Sequence, residues 1–282
     1  MENRKSIISF WLIIIFFTGC IGFFLWNIAV NVFAPENQLE KIWRERENQV
    51  SVSPSSSYAE IFQNADYLAS LQVTAEGPGE DGATEKGIFL FSGFINDWDN
   101  AYGKYTVITA GHIDIGIPEV RITKIEVSFK NGQGPEEMEV ANIDQGPDAA
   151  VLIFKNKKFK FKGQLPKRGN SNLVQVGDPI VALGAPHGIK NYFSFGYIGR
   201  RDLDFTELHI AGFYIAPLSC GLFAHSASTN PGCSGGPLFN ARGEIIGIHS
   251  MLIGTPDPER SNWSPISIAI PINSAVTVLQ KP

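Results

Sequence analysis

From Tyr58 onward the chain alternates short apolar runs with turn residues. LASLQVTA (68–75), GIFLFSGFI (87–95), YTVITAGHI (105–113), KIEVSFK (124–130) and AAVLIF (149–154) come first. PIVALGAP (179–186), FSFGYIG (193–199), LHIAGFYIA (208–216), PLFN (237–240), EIIGIHSM (244–251) and SIAIPI (267–272) follow. Glycine, proline, asparagine or aspartate separates most of them, a rhythm that predicts β-strands in a sandwich or barrel. A parallel α/β fold would need helices between strands, and no stretch has the length for one. Residues 58–282 hold more strands than one small barrel needs. Two packed halves are therefore predicted, at about 58–165 and 166–282, with the break in KGQLPKRGNSN (162–172).

The amino terminus follows a different pattern. Ile7 to Phe33 is apolar apart from small or weakly polar residues. As a helix this run would span roughly 40 Å, more than the ~30 Å hydrocarbon core of a bilayer. It is too long for the ~7–15 apolar residues of a cleaved signal. FTGC (17–20) resembles a lipidation signal, but the apolar run continues past Cys20. An uncleaved anchor is the expectation: 1–6 as cytoplasmic stub, 7–33 as transmembrane helix, 34–57 as juxtamembrane helix and serine-rich linker. Arg4 and Lys5 favour a cytoplasmic start, which puts residues 58–282 on the extracytoplasmic side.

Charge and cysteine usage narrow the chemistry. A net charge of -5 gives no footprint for nucleic acid. The lysine-rich KNKKFKFK (155–162) reads as a solvated hairpin edge protected by lysine. Neither Cys-x-x-Cys nor His-Glu-x-x-His occurs, so no metal and no cofactor is expected. Cys220 and Cys233 are either two free thiols or a disulfide, which spacing along the chain does not decide.

The stretch TNPGCSGGPLFN (229–240) sets a cysteine beside a serine in a glycine-rich frame. A nucleophile that attacks a carbonyl needs an exposed turn and peptide N–H groups aimed at the developing oxyanion. With Ser234 as nucleophile, Gly232 and Gly235 flank it at the positions where backbone freedom helps. With Cys233 those positions hold Pro231, which has no N–H, and Ser234. The frame suits Ser234. A serine needs a base, and of five histidines only His112 ends a strand-like run, in VITAGH. GPDAAVLIF offers Asp148 at the mouth of an apolar strand as the carboxylate that orients the imidazole, with Asp144 as runner-up. His187, His209 and His225 read as structural or exposed.

These motifs, in the order His, Asp, Ser, resemble those of chymotrypsin-fold (trypsin-like) serine proteases. The HtrA/Deg and glutamyl-endopeptidase branches are the most similar. YTVITAGH, PDAAVL, VGDPIVALGAPHG, TNPGCSGGPLFNARGEIIGIHS and ISIAIPI carry the likeness, over about Leu68 to Leu279. It implies an all-β fold of two six-stranded antiparallel barrels with the active site in the cleft between them. It also implies His112 as general base, Asp148 as orienter, Ser234 as nucleophile, and the Gly232 and Ser234 amides as oxyanion hole. Polypeptides would be the substrates. Two departures are Cys233, where the family often has Asn or Asp, and the end of the chain at Pro282 without a PDZ domain. Trypsin-like preference for Lys or Arg would need an acid where Ser228 stands. Glutamyl endopeptidases place a threonine and a histidine where this sequence has Thr229 and His249, so these two, with adjacent Ser250, are the substrate-binding candidates for an acidic residue before the scissile bond. The rival expectations are a catalytically silent peptide-binding module and, more distantly, a Cys233-dependent peptidase.

Overall fold

A computed structural model describes residue 58 and residues 61–79, 83–114, 119–130, 132–204, 220–253 and 266–276. The expected stub, anchor and linker (1–57), the run 208–216 and His209 lie outside the described residues. Among the described residues no helix is long and apolar enough to cross a membrane.

The first half contains β1 (Leu68–Pro78), β2 (Thr84–Asp99), β3 (Lys104–Ala110), β4 (Arg121–Phe129), β5 (Glu136–Glu137), β6 (Glu139–Asp144) and β7 (Ala149–Lys155). Alternation decides their faces: β1 buries Leu71, Val73 and Ala75 while Gln72 points to solvent. The strands form one antiparallel sheet in the order β5-β4-β1-β2-β3-β7-β6. This corrects the expected closed six-stranded barrel. β5 is two residues long and pairs only with β4, β6 pairs only with β7, and so the sheet stays open between them.

KNKKFKFK is also not a hairpin edge. It leaves β7 as irregular chain with exposed lysines, while Phe159 and Phe161 turn inward. Phe159 packs edge-on against Tyr105 and Phe154 at ring separations of 4.7 and 5.1 Å. Burying such a ring is worth roughly 1.5–3 kcal/mol, enough to override strand pairing for this segment.

In the second half β8 (Pro179–Gly184), β9 (Tyr192–Leu203), β10 (Leu222–His225), β11 (Pro237–Asn240), β12 (Ile245–Ile253) and β13 (Ile266–Pro271) close into a six-stranded barrel. Its order is β10-β13-β12-β11-β8-β9, and Ile180, Ile198, Phe223, Leu238 and Ile246 fill it. A single-turn helix, α1 (Ile272–Ala275), follows. The two halves meet where the Ser92 amide of β2 donates to the Ser234 carbonyl at 2.7 Å.

Candidate active site

Three chain segments converge at that junction. β3 runs into a 3₁₀ turn, Gly111–Ile113, that carries His112. The turn between β6 and β7 carries Asp148 in the left-handed region, φ 50°. Gly111 is required here, because a Cβ on it would stand 2.7 Å from the Ala149 nitrogen. That closeness lets the His112 amide donate to Asp148 Oδ1 at 2.7 Å. His112 Nδ1 lies 3.0 and 3.1 Å from the two carboxylate oxygens. A carboxylate only accepts, so Nδ1 carries the proton of a neutral ring and Nε2 keeps its lone pair. Phe91 flanks the imidazole at 5.4 Å between ring centres.

Ser250 supplies a third donor. Its hydroxyl, one of the expected substrate-binding groups, gives a 2.5 Å hydrogen bond to Asp148 Oδ2. Its carbonyl accepts from Ser234 Oγ at 2.8 Å. The structure thus brings His112 and Asp148 into direct contact and links Ser234 to Asp148 through Ser250. Among the described residues the Ser234 hydroxyl rests on a main-chain carbonyl and makes no hydrogen bond to the imidazole. Asp144, the runner-up, accepts instead from the Gly146 amide in its own turn, at 3.1 Å.

Strand β12 fixes the loop that carries Ser234. The Gly235 amide donates to the His249 carbonyl at 2.7 Å, and the His249 amide to the Gly236 carbonyl at 2.8 Å. Gly235 has φ 90°, and a Cβ there would fall 2.1 Å from the Ser92 carbonyl oxygen. Cys233 points into the interior as a free thiol, and burial pushes its pKa up to about 11. A thiol that is neutral and enclosed is no nucleophile at neutral pH. Cys220 is likewise free.

Thr229 and His249, the other two substrate-binding candidates, are both buried. Ser267 Oγ donates to the Ala227 carbonyl at 2.8 Å, so the 2.7 Å Thr229–Ser267 bond takes its hydrogen from Thr229. His225, which sequence reasoning set aside, packs edge-on against His249 at 5.7 Å. Among the described residues both His225 nitrogens and His249 Nδ1 are buried without a hydrogen-bond partner. Burial lowers the His225 pKa to about 4 and holds that of His249 well below the usual range, with His225 and His112 adding to the second effect. His187 lies in the 3₁₀ turn Pro186–Gly188 beside the nucleophile loop, not in the pair.

The buried His225 has a pH consequence. The unfolded chain takes up a proton below about pH 6.5, whereas folded His225 stays neutral until about pH 4. Its contribution is complete above pH 6.5 and lost as pH falls towards 4, amounting to about 3 kcal/mol. Urea unfolding between pH 7 and 4 should show this loss together with that of the equally buried His249, and His225→Phe should reduce the slope without removing it.

Phe91, which flanks the imidazole, also lines a cavity of about 430 Å³ together with Leu90, Gln72, Ala185 and Lys190.

A closed antiparallel barrel beside a second β-sheet, with the His112, Asp148 and Ser234 segments at their junction, is a chymotrypsin-like architecture. The chain belongs to the trypsin-like peptidase domain family, whose model matches residues 91–248. Over 194 residues it is 34% identical to a protein named "Probable periplasmic serine endoprotease DegP-like" from Buchnera aphidicola, covering 67% of this chain and 36% of that protein. It is 28% identical to "Putative serine protease HhoB" from Synechocystis, covering 67% of this chain and 39% of the relative. The chain therefore spans well under half the length of these curated relatives. Among solved structures, the HtrA-type protease AlgW with a decapeptide shares the fold, with a TM-score of 0.59 at 22% identity over 81% of this chain and 67% of that one.

Proposed function

We propose that the protein is a serine endopeptidase that hydrolyses polypeptides through His112, Asp148 and Ser234. The observation that carries the reading is the set of three donors on Asp148, from the His112 amide, His112 Nδ1 and the Ser250 hydroxyl. That set fixes the imidazole tautomer with Nε2 free to accept a proton. The reading requires rotation about the Cα–Cβ bond of Ser234 to carry its hydroxyl from the Ser250 carbonyl to Nε2. Such bonds are commonly unmade before substrate arrives.

In the reaction His112 Nε2 takes the Ser234 proton as Oγ bonds to the scissile carbonyl carbon. The carbonyl oxygen becomes an oxyanion facing the Gly232 and Ser234 amides. Collapse breaks the C–N bond, and His112 hands the proton to the leaving amine. Water then enters by the same steps and releases the acyl group from Ser234. A fluorophosphonate probe tests the reading. It should form an adduct on Ser234, and a protein that neither reacts nor cleaves any peptide would be the silent binding module instead.

The finer reading gives the enzyme a preference for an acidic residue before the scissile bond. An imidazole N–H of His249 would donate to the substrate carboxylate. Thr229 would join it once Ser267 turns its hydrogen from Ala227 to Thr229. A hydrogen bond to a charged group is worth about 1.5–3 kcal/mol, so a Glu peptide should exceed its Gln counterpart in kcat/KM by on the order of tenfold or more. Matched peptides with Glu, Gln, Leu or Lys at that position measure it, and equal rates for Glu and Gln would remove the preference. We place the enzyme outside the cytoplasm, held by the 7–33 segment; the word "periplasmic" in the relative's name accords with this.

A further inference from the structure

Ser92 is the one polar side chain in FSGFI (91–95), a run of β2 in which all five residues are buried. Four hydrogen bonds converge on it. Its amide donates to the Ser234 carbonyl at 2.7 Å, and its carbonyl accepts from Thr109 Oγ1 at 2.7 Å. Its hydroxyl accepts from the Ala185 amide at 2.9 Å and donates to the Gly232 carbonyl at 2.7 Å. One buried serine thus ties together the strand that leads to His112, the segment after β8, and the loop of the nucleophile.

The bond to Gly232 matters most. In a trans peptide the C=O and N–H point in opposite directions. The Pro231 carbonyl is held by the His187 amide at 2.8 Å, from a residue in the left-handed region at φ 51°. That bond turns the Gly232 N–H away from His187. The next carbonyl, that of Gly232, is held from the other side by Ser92. Gly232 itself has φ 103°, and a Cβ there would lie 2.4 Å from the Ala185 oxygen. Both peptide planes at Gly232 are therefore tethered. Among the described residues neither the Gly232 amide nor the Ser234 amide has a partner, so both remain free for an oxyanion.

Resting on the serine endopeptidase reading, we propose that the Ser92 hydroxyl is a positioning group for the oxyanion site. It acts through Gly232 and touches no substrate. Oxyanion stabilisation depends on donors fixed before charge develops, and loss of one donor typically costs about 10²–10³ in kcat. A donor that is loosened but still present costs less.

Ser92→Ala tests the proposal, because it deletes the hydroxyl and keeps the amide that holds Ser234. Peptide kcat should fall on the order of 30-fold with KM within about twofold, the pattern of an interaction made only in the transition state. A peptide aldehyde, whose adduct with Ser234 carries an oxyanion, should lose affinity by a similar factor. Binding of the uncleaved peptide to the Ser92→Ala/Ser234→Ala double variant should match that of Ser234→Ala alone. Unchanged kcat and aldehyde affinity in Ser92→Ala would overturn the proposal, as would equal losses in aldehyde and uncleaved-peptide binding. Should Ser92→Ala not fold, Ser92→Cys keeps a weak donor in the same place. It should show a smaller loss in the same two quantities, and wild-type values for both would equally overturn the proposal. An inert wild-type protein would instead sink the endopeptidase reading, so the two failures are separable.

Discussion

Replacing Ser234 by alanine should lower peptide hydrolysis by a factor on the order of 10⁴ to 10⁶, with folding stability close to that of the parent. In the proposed reaction the hydroxyl oxygen bonds to the scissile carbon, and no neighbouring side chain stands ready to replace it. Cys233 is adjacent in sequence, but its thiol is buried, with a pKa of about 11. The fold should survive, because the Ser234 main-chain bond to Ser92 does not involve the lost hydroxyl. The side chain gives up only its bond to the Ser250 carbonyl. Single-turnover assays with a fluorogenic peptide, alongside thermal unfolding, measure both. Turnover at the parental rate would end the assignment, and loss of turnover together with loss of folding would leave the fluorophosphonate adduct to decide it.

Asp148→Asn should be the next most damaging change, with a loss in kcat on the order of 10⁴. The carboxylate accepts from the His112 amide, from His112 Nδ1 and from the Ser250 hydroxyl. An amide of the same shape must present a donor nitrogen to part of that set. If its NH₂ faces the ring, Nδ1 has to become the acceptor and the imidazole proton moves to Nε2. The base is then occupied at the atom that should receive the Ser234 proton. The loss should ease at alkaline pH if hydroxide or an ionised nucleophile makes the base dispensable. A pH–rate profile of the variant against the parent separates this tautomer effect from simple unfolding. A parental rate at neutral pH would show that Asp148 does not set the tautomer.

The sequence was most legible where one physical pattern dominates. Apolar runs marked β1, β2, β3 and β12: β1 alternates between a buried and a more exposed face, while β2, β3 and β12 each carry a continuous buried stretch. It was opaque where burial is partial or pairing is remote. β6, EVANID, is exposed to half-buried along its length and so lacks the alternation of a core strand. β10, LFAH, is buried at all four residues and too short to show a period, and its terminal histidine reads as polar. Closure of the first sheet depended on how far β5 extends, which nothing in GPEEM reveals.

The glycine frame and the strand-end histidine pointed to candidate site residues through local chemistry. Ser92 and Ser250 gave weaker signals, a lone serine in FLFSGFI and a serine after histidine at the end of an apolar run. Their roles come from partners far along the chain, 140 residues away for Ser92 and Gly232 and 102 for Ser250 and Asp148. Only the folded sheets bring those pairs together.

The acceptor under the Ser234 hydroxyl belongs to the backbone of β12. Side-chain replacement at position 250 can release Asp148, yet it leaves that oxygen where it is. A parked nucleophile is therefore a property of the strand's path, beyond the reach of ordinary point substitution. Leaving the parking place breaks one neutral hydrogen bond, worth about 1 kcal/mol, and in the proposed reaction the bond to Nε2 replaces it. An occupant of the cleft that favours the Nε2 position therefore shifts the hydroxyl by a small difference in contact energy.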